Sequence, residues 1–92
     1  MNNLILLPVR RTGKAFGVWT VSEEKREGLE YAAAYVNNEI TKVFIVKDTM
    51  FIDQINKTAF DLIDITGTKL GDRVKNAVGE FNSLPNVQYK TV

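Results

Sequence analysis

Hydrophobic and polar positions alternate in distinct rhythms along this chain, and the densest apolar run sets the reading of the rest. Lys42-Val43-Phe44-Ile45-Val46-Lys47-Asp48 holds four uninterrupted β-branched or aromatic residues between charges. That is the pattern of a strand buried on both faces. Before it, Leu4-Ile5-Leu6-Leu7-Pro8-Val9 reads as a strand. Pro8 argues for a sheet edge, because proline has no N–H to give a neighbour. The polar turn Arg10-Arg11-Thr12-Gly13-Lys14 then leads into a second strand, Ala15 to Val21. Together these predict an N-terminal β-hairpin.

Helical periodicity takes over next. Thr20-Val21-Ser22-Glu23 and Ser22-Glu23-Glu24 both carry N-cap chemistry, so a helix is expected to begin near Ser22. Leu29, Ala32, Ala33, Val36 and Ile40 recur at helical spacing, and Asn37-Asn38 is a natural stop, since asparagine tolerates the left-handed conformation. Gly28 sits inside this helix at a cost of about 1 kcal/mol relative to alanine.

Residues 49 to 66 fit two descriptions. One is a single amphipathic helix. The other, preferred because Thr58 to Thr66 is rich in β-formers and Asn56-Lys57 suits a turn, is a short helix over Thr49 to Asn56 followed by a strand over Ala59 to Ile65. Thr66-Gly67-Thr68 caps a second long helix built on Leu70, Val74, Ala77, Val78 and Phe81, and Val87 to Val92 is a closing strand.

The expected fold is therefore α+β, a single domain over residues 1–92: a mixed sheet of about five strands, two long helices and one short helix. The alternative, if residues 49 to 57 form a loop, is a ferredoxin-like βαββαβ order with an extra N-terminal strand. Leu4 to Val9 and Val43 to Val46 are apolar on both faces, whereas two helices cover one face of such a sheet. A second subunit burying part of the N-terminal hairpin, with Leu4, Leu6, Trp19, Tyr31 and Tyr35 as interface candidates, would supply the missing cover.

Composition narrows the chemistry. The 92 residues contain no cysteine and no histidine. Thiolate chemistry, disulfides, imidazole acid–base work and the usual zinc ligands are thereby excluded. No catalytic residue, metal site or cofactor is expected. Twelve basic against eleven acidic residues leave a net charge of +1, which steers the chain towards neither nucleic acid nor an anionic membrane. Met1-Asn2-Asn3 lacks the charged start of a signal peptide and Leu4 to Leu7 is too short to span a bilayer, so a cytoplasmic protein is expected. The excess of Lys over Arg, with many Asn and Ile, suits an AT-rich bacterial or phage genome.

Four constellations are candidates for function. Arg10, Arg11 and Lys14, flanked by Phe16 and Trp19, combine cations for phosphate with aromatics for stacking, as nucleic-acid binders do. A soluble hairpin turn explains the same charges. If the strands over 43–46 and 59–65 are parallel, Asp48, Thr49, Thr66, Gly67, Thr68 and Lys69 meet outside their carboxyl ends and form an anion site for a phosphate-bearing small molecule. Simple capping by Thr68 is the competing account, and no Walker spacing is present. Asp48, Asp53, Asp61 and Asp64 supply oxygen ligands suited to Mg²⁺, which a strand over 59–65 would disperse onto opposite faces. Glu23, Glu27 and Glu30 with Tyr31 and Tyr35 suit a basic protein surface, or simply a solvated helix. The leading expectation is a small non-enzymatic interaction module, a homodimer that binds a protein partner. Nucleic-acid binding through the Arg10–Lys14 turn comes second, and phosphate-ligand binding near Asp48 and Lys69 third.

Overall fold

The computed structural model describes residues 2–9, 18–82 and 86–92. The elements run β1 (Leu4–Pro8), β2 (Val18–Trp19), α1 (Glu23–Glu27), β3 (Tyr31–Val36), β4 (Glu39–Ile52), β5 (Lys57–Asp64), α2 (Lys69–Val78) and β6 (Gln88–Lys90). Among the described residues the strands form one mixed sheet in the order β2-β5-β4-β3-β1-β6, in which β2 contributes Val18 and Trp19. β1 and β3 are parallel, and every other neighbouring pair is antiparallel. The α+β class and the mixed sheet agree with the sequence expectation. Three strands lie between the helices rather than two, so the ferredoxin-like order is not formed.

The first helix is far shorter than its periodicity predicts. Ser22 caps it, its hydroxyl accepting from the Lys25 N–H at 3.3 Å, and Gly28 ends it after five residues. Tyr31-Ala32-Ala33-Ala34-Tyr35-Val36 then runs as strand β3 between β1 and β4. Alanine is the best helix former, but propensity is a weak prior that tertiary packing overrides. Here apolar clusters press on both faces of the strand. Ala33 lies against Leu4, Leu6, Val43 and Val74 on one side, and Ala32 and Ala34 lie against Ile5, Leu7, Val21 and Leu29 on the other. The three alanines let the middle of β3 sit close between the two covering layers, while the larger Tyr35 is buried nearer its end. Asn37 does adopt the left-handed conformation, with φ 56°, but as the turn of the β3–β4 hairpin rather than a helix end.

The strand β4 extends well beyond the central run, to fourteen residues. No short helix forms over Thr49–Asn56: that segment completes β4 and turns back at Asp53–Asn56 into β5, with Asn56 at φ 53°. Its β-branched and aromatic residues favour the pleated alternative. One residue, Thr41, is extra relative to β3, and another, Lys47, is extra relative to β5. Such bulges re-aim a strand and raise its twist. β3 pairs with β4 only over Glu39–Ile45, and β5 pairs with it over Phe44–Ile52.

The N-terminal hairpin is also corrected. β1 is flanked on both sides, by β3 and β6, while β2 pairs with β5 at the far edge of the sheet. Pro8 is accommodated because β6 pairs only with Leu4–Leu6 and leaves that end of β1 free. Residues 10–17, which hold the predicted turn, lie outside the described residues.

Both faces of β1 and β3 are covered from within the chain. α2 packs on one through Val74 and Val78, and Val21 and Leu29, which bracket α1, seal the other. No second subunit is required there. Among the described residues no helix is long and apolar enough to cross a membrane.

Candidate functional site

The register of β4 against β5 decides the fate of the predicted anion site. The two strands are antiparallel, so Asp48 and Thr49 lie partway along the hairpin, opposite Asp61 and Phe60, whereas Thr66 sits beside Val43. The condition for a shared carboxyl-end crevice fails. Thr66, Gly67, Thr68 and Lys69 do begin a helix, but the hydroxyls are committed to the fold. Thr66 Oγ1 accepts from the Val43 N–H at 3.0 Å. Thr68 Oγ1 donates to the Ile65 carbonyl at 2.7 Å and accepts from the Gly71 N–H at 3.0 Å. This is an N-cap, and it joins α2 to the end of β5.

The other predicted residues are scattered or spent. Leu4, Leu6 and Tyr35 are buried in the core, so they present no surface to a partner. Tyr31 and Tyr35 lie on a strand, not a helix, and the Tyr35 hydroxyl donates to the Asn86 carbonyl at 2.6 Å. Trp19 is packed into the cluster on the α1 side with its indole Nε1 buried, which removes it as a stacking platform. Arg10, Arg11 and Lys14 lie outside the described residues. Asp61 and Asp64 point to opposite faces of β5, as expected of a strand, and no group of three or more acidic residues able to hold a metal ion occurs among the described residues.

Asp64 serves the fold instead. Its carboxylate accepts from the Thr66 N–H at 2.9 Å and lies 3.6 Å from Lys42 Nζ. The hydrogen bonding of Thr66, and to a lesser extent the Lys42 charge, holds its carboxyl below the ordinary value of 3.8. A depressed carboxyl contributes stability that is present above the unfolded-state pKa and is lost as pH falls through the folded one. Asp64→Asn should therefore remove part of the acid limb: urea midpoints of wild type and variant should differ at neutral pH and converge below about pH 4. The difference will be modest, because the carboxylate is half exposed. Midpoints that stay parallel down to acid pH would show that Asp64 carries no such linkage.

The surface with no assigned work is the outer half of the β4–β5 hairpin. Residues directly opposite in an antiparallel pair share a face. On the side that α2 packs against, the register stacks four rows: Ile45 with Ile63, Asp48 with Asp61, Met50 with Ala59, and Ile52 with Lys57. Only the first approaches the α2 core, through Ile45. Met50 is 67% exposed and Ile63 46%. The opposite side of the hairpin is occupied. Arg26 of α1 donates to the buried Thr58 hydroxyl at 3.0 Å and lies 4.6 Å over the Phe51 ring, so α1 clasps the hairpin from that side. At the tip, Ile55 is half exposed.

These apolar positions were hidden in the sequence by the helical assignment of Thr49–Asn56, which distributes Met50, Phe51, Ile52 and Ile55 around a helix. A clue was available in the spacing: Met50 and Ile52 fall on one side of a strand, and Asn56-Lys57 marks the return. The chain matches no family model, no curated protein and no solved structure, so its own geometry carries the functional reading.

Proposed function

We propose that this chain is a small non-enzymatic interaction module that docks a protein on the α2-side face of the outer β4–β5 hairpin. The observation that carries the reading is the exposure of Met50 and Ile63 on one face of a sheet whose remaining large aliphatic residues are mostly covered. Large apolar side chains sharing one exposed face, here with the Asp48–Asp61 row between them, offer a protein partner apolar anchors beside polar contacts. The lack of histidine and cysteine supports binding rather than chemistry. The α1 clasp gives the hairpin a fixed backing, and a preorganised surface loses less conformational freedom on binding.

The test is capture of a defined protein from the native extract by immobilised wild type and by Met50→Lys. Because Met50 is a surface residue, the variant is expected to keep the wild-type circular dichroism spectrum and to lose capture by roughly tenfold or more, as central apolar anchors do. Equal capture by both, or recovery of nucleic acid rather than protein, would overturn the reading.

A further inference from the structure

Resting on that reading, we infer that the surface is self-complementary and that its occupant is a second copy of this chain, packed face to face about a two-fold axis. The axis lies between the two sheets, along the Met50–Ala59 row.

The argument comes from the order of the rows. Along the hairpin the exposed face presents an apolar row at Ile45 and Ile63, a doubly acidic row at Asp48 and Asp61, an apolar row at Met50 and Ala59, and a row carrying Ile52 and Lys57. Successive rows are about 7 Å apart, two residues of strand. A two-fold axis along the Met50–Ala59 row reverses the strand direction of the second copy while keeping β5 over β5. Met50 then packs on its own counterpart, and each Asp61 faces Lys57 of the other copy. The acidic row meets a cation at both ends of the interface. An axis along the strands would instead stack the acidic rows on each other, putting four carboxylates together, which is strongly unfavourable. Charge thus selects one arrangement.

Among the described residues the charges concerned lack opposite partners. The Asp61 side chain makes neither a hydrogen bond nor an ion pair there, and Lys57 Nζ donates to the Thr20 hydroxyl. Among the described residues the single ion pair is Lys42–Asp64, which lies at the other end of the hairpin. Two like charges directly across a ladder, as at Asp48 and Asp61, destabilise an isolated hairpin. An intermolecular cation relieves that cost. With the axis on the Met50–Ala59 row, three rows on two strands face each other over roughly 15 Å by 10 Å, well below a standard protein interface, so the association should be weak and concentration-dependent, with a dissociation constant in the roughly high-micromolar to millimolar range.

Sedimentation velocity over a concentration series provides the test. Wild type should self-associate, more weakly as salt rises. Lys57→Glu and Asp61→Lys should each shift the chain to monomer, since each converts both symmetry-related pairs into repulsions. The double swap Lys57→Glu/Asp61→Lys should restore self-association, a result that loss of folding in a single variant cannot imitate. A wild type that stays monomeric at millimolar concentration, or a double swap that remains monomeric, overturns the inference. If wild type is monomeric and Met50→Lys still abolishes capture of another protein, the docking surface stands and only its occupation by a second copy falls.

Discussion

Gly71→Ala should destabilise the protein by about 3 kcal/mol or more, although helix propensity alone favours alanine there by about 1 kcal/mol. Gly71 lies buried in the first turn of α2. A Cβ at this position would stand 2.0 Å from the Ile65 carbonyl oxygen and 3.3 Å from Thr68 Oγ1. The obstructing atom is backbone, held by the Thr68 N–H at 3.1 Å and the Thr68 hydroxyl at 2.7 Å, so it cannot swing aside as a side chain would. Relief requires the first turn of α2 to lift away from the end of β5 by about an ångström, which breaks the cap and opens the Val74–Val78 contact. Against a total stability of about 5–15 kcal/mol the loss is large. Urea denaturation of Gly71→Ala beside Asn76→Ala, an exposed position in the same helix, measures it. A stabilised Gly71→Ala would mean that the helix does not approach β5 this closely.

Leu6→Ala is expected to cost about 3 kcal/mol or more. Leu6 is fully buried in β1, lying beside Ala33 of β3 on one side and Gln88 of β6 on the other. Its side chain packs in the cluster beneath α2, among Val43, Val74 and Val78. Because the sheet brackets it on both sides, the surroundings have little freedom to collapse into the void, and poorly relaxed cavities are the costly ones. Met50→Ala, a comparable loss of volume at an exposed site, should leave monomer stability within about 0.5 kcal/mol. Equal midpoints for the two variants would contradict the placement of Leu6 in the core and Met50 on the surface.

The residues that misled the sequence reading share one cause. Tyr31 to Val36 has the composition of a helix and the position of a central strand, and only contacts distant in sequence, from Leu4–Leu7 and Val74, decide the outcome. Local periodicity carries no information about those contacts. The elements that were legible are those with local chemistry: the Ser22 and Thr68 caps, the Asn56 turn, the run Val43–Val46 and the amphipathic helix Lys69–Val78. The assignment of Leu4 and Leu6 to an interface followed from undercounting the cover. Gly28 shortened the first helix, yet Val21 and Leu29 on either side of it still sealed the second face of the sheet. The proposed docking face is not legible in the sequence because it depends on which residues of β4 and β5 lie opposite each other, and register is fixed by turn position and by the bulge at Lys47.

The overlap of β3 and β5 on β4 is confined to Phe44 and Ile45. To one side of that pair lies the sheet that carries both buried clusters. To the other lies the hairpin, whose α1-side face is tied to the core by Val46, Phe60, Leu62 and the Arg26 clasp, while its α2-side face receives no such packing beyond Ile45. The hairpin is therefore backed on one side only, and the bare side is the proposed docking face. Occupation of that face would stiffen the hairpin without repacking the core, and binding would then register as a change in local opening rather than as a change in shape.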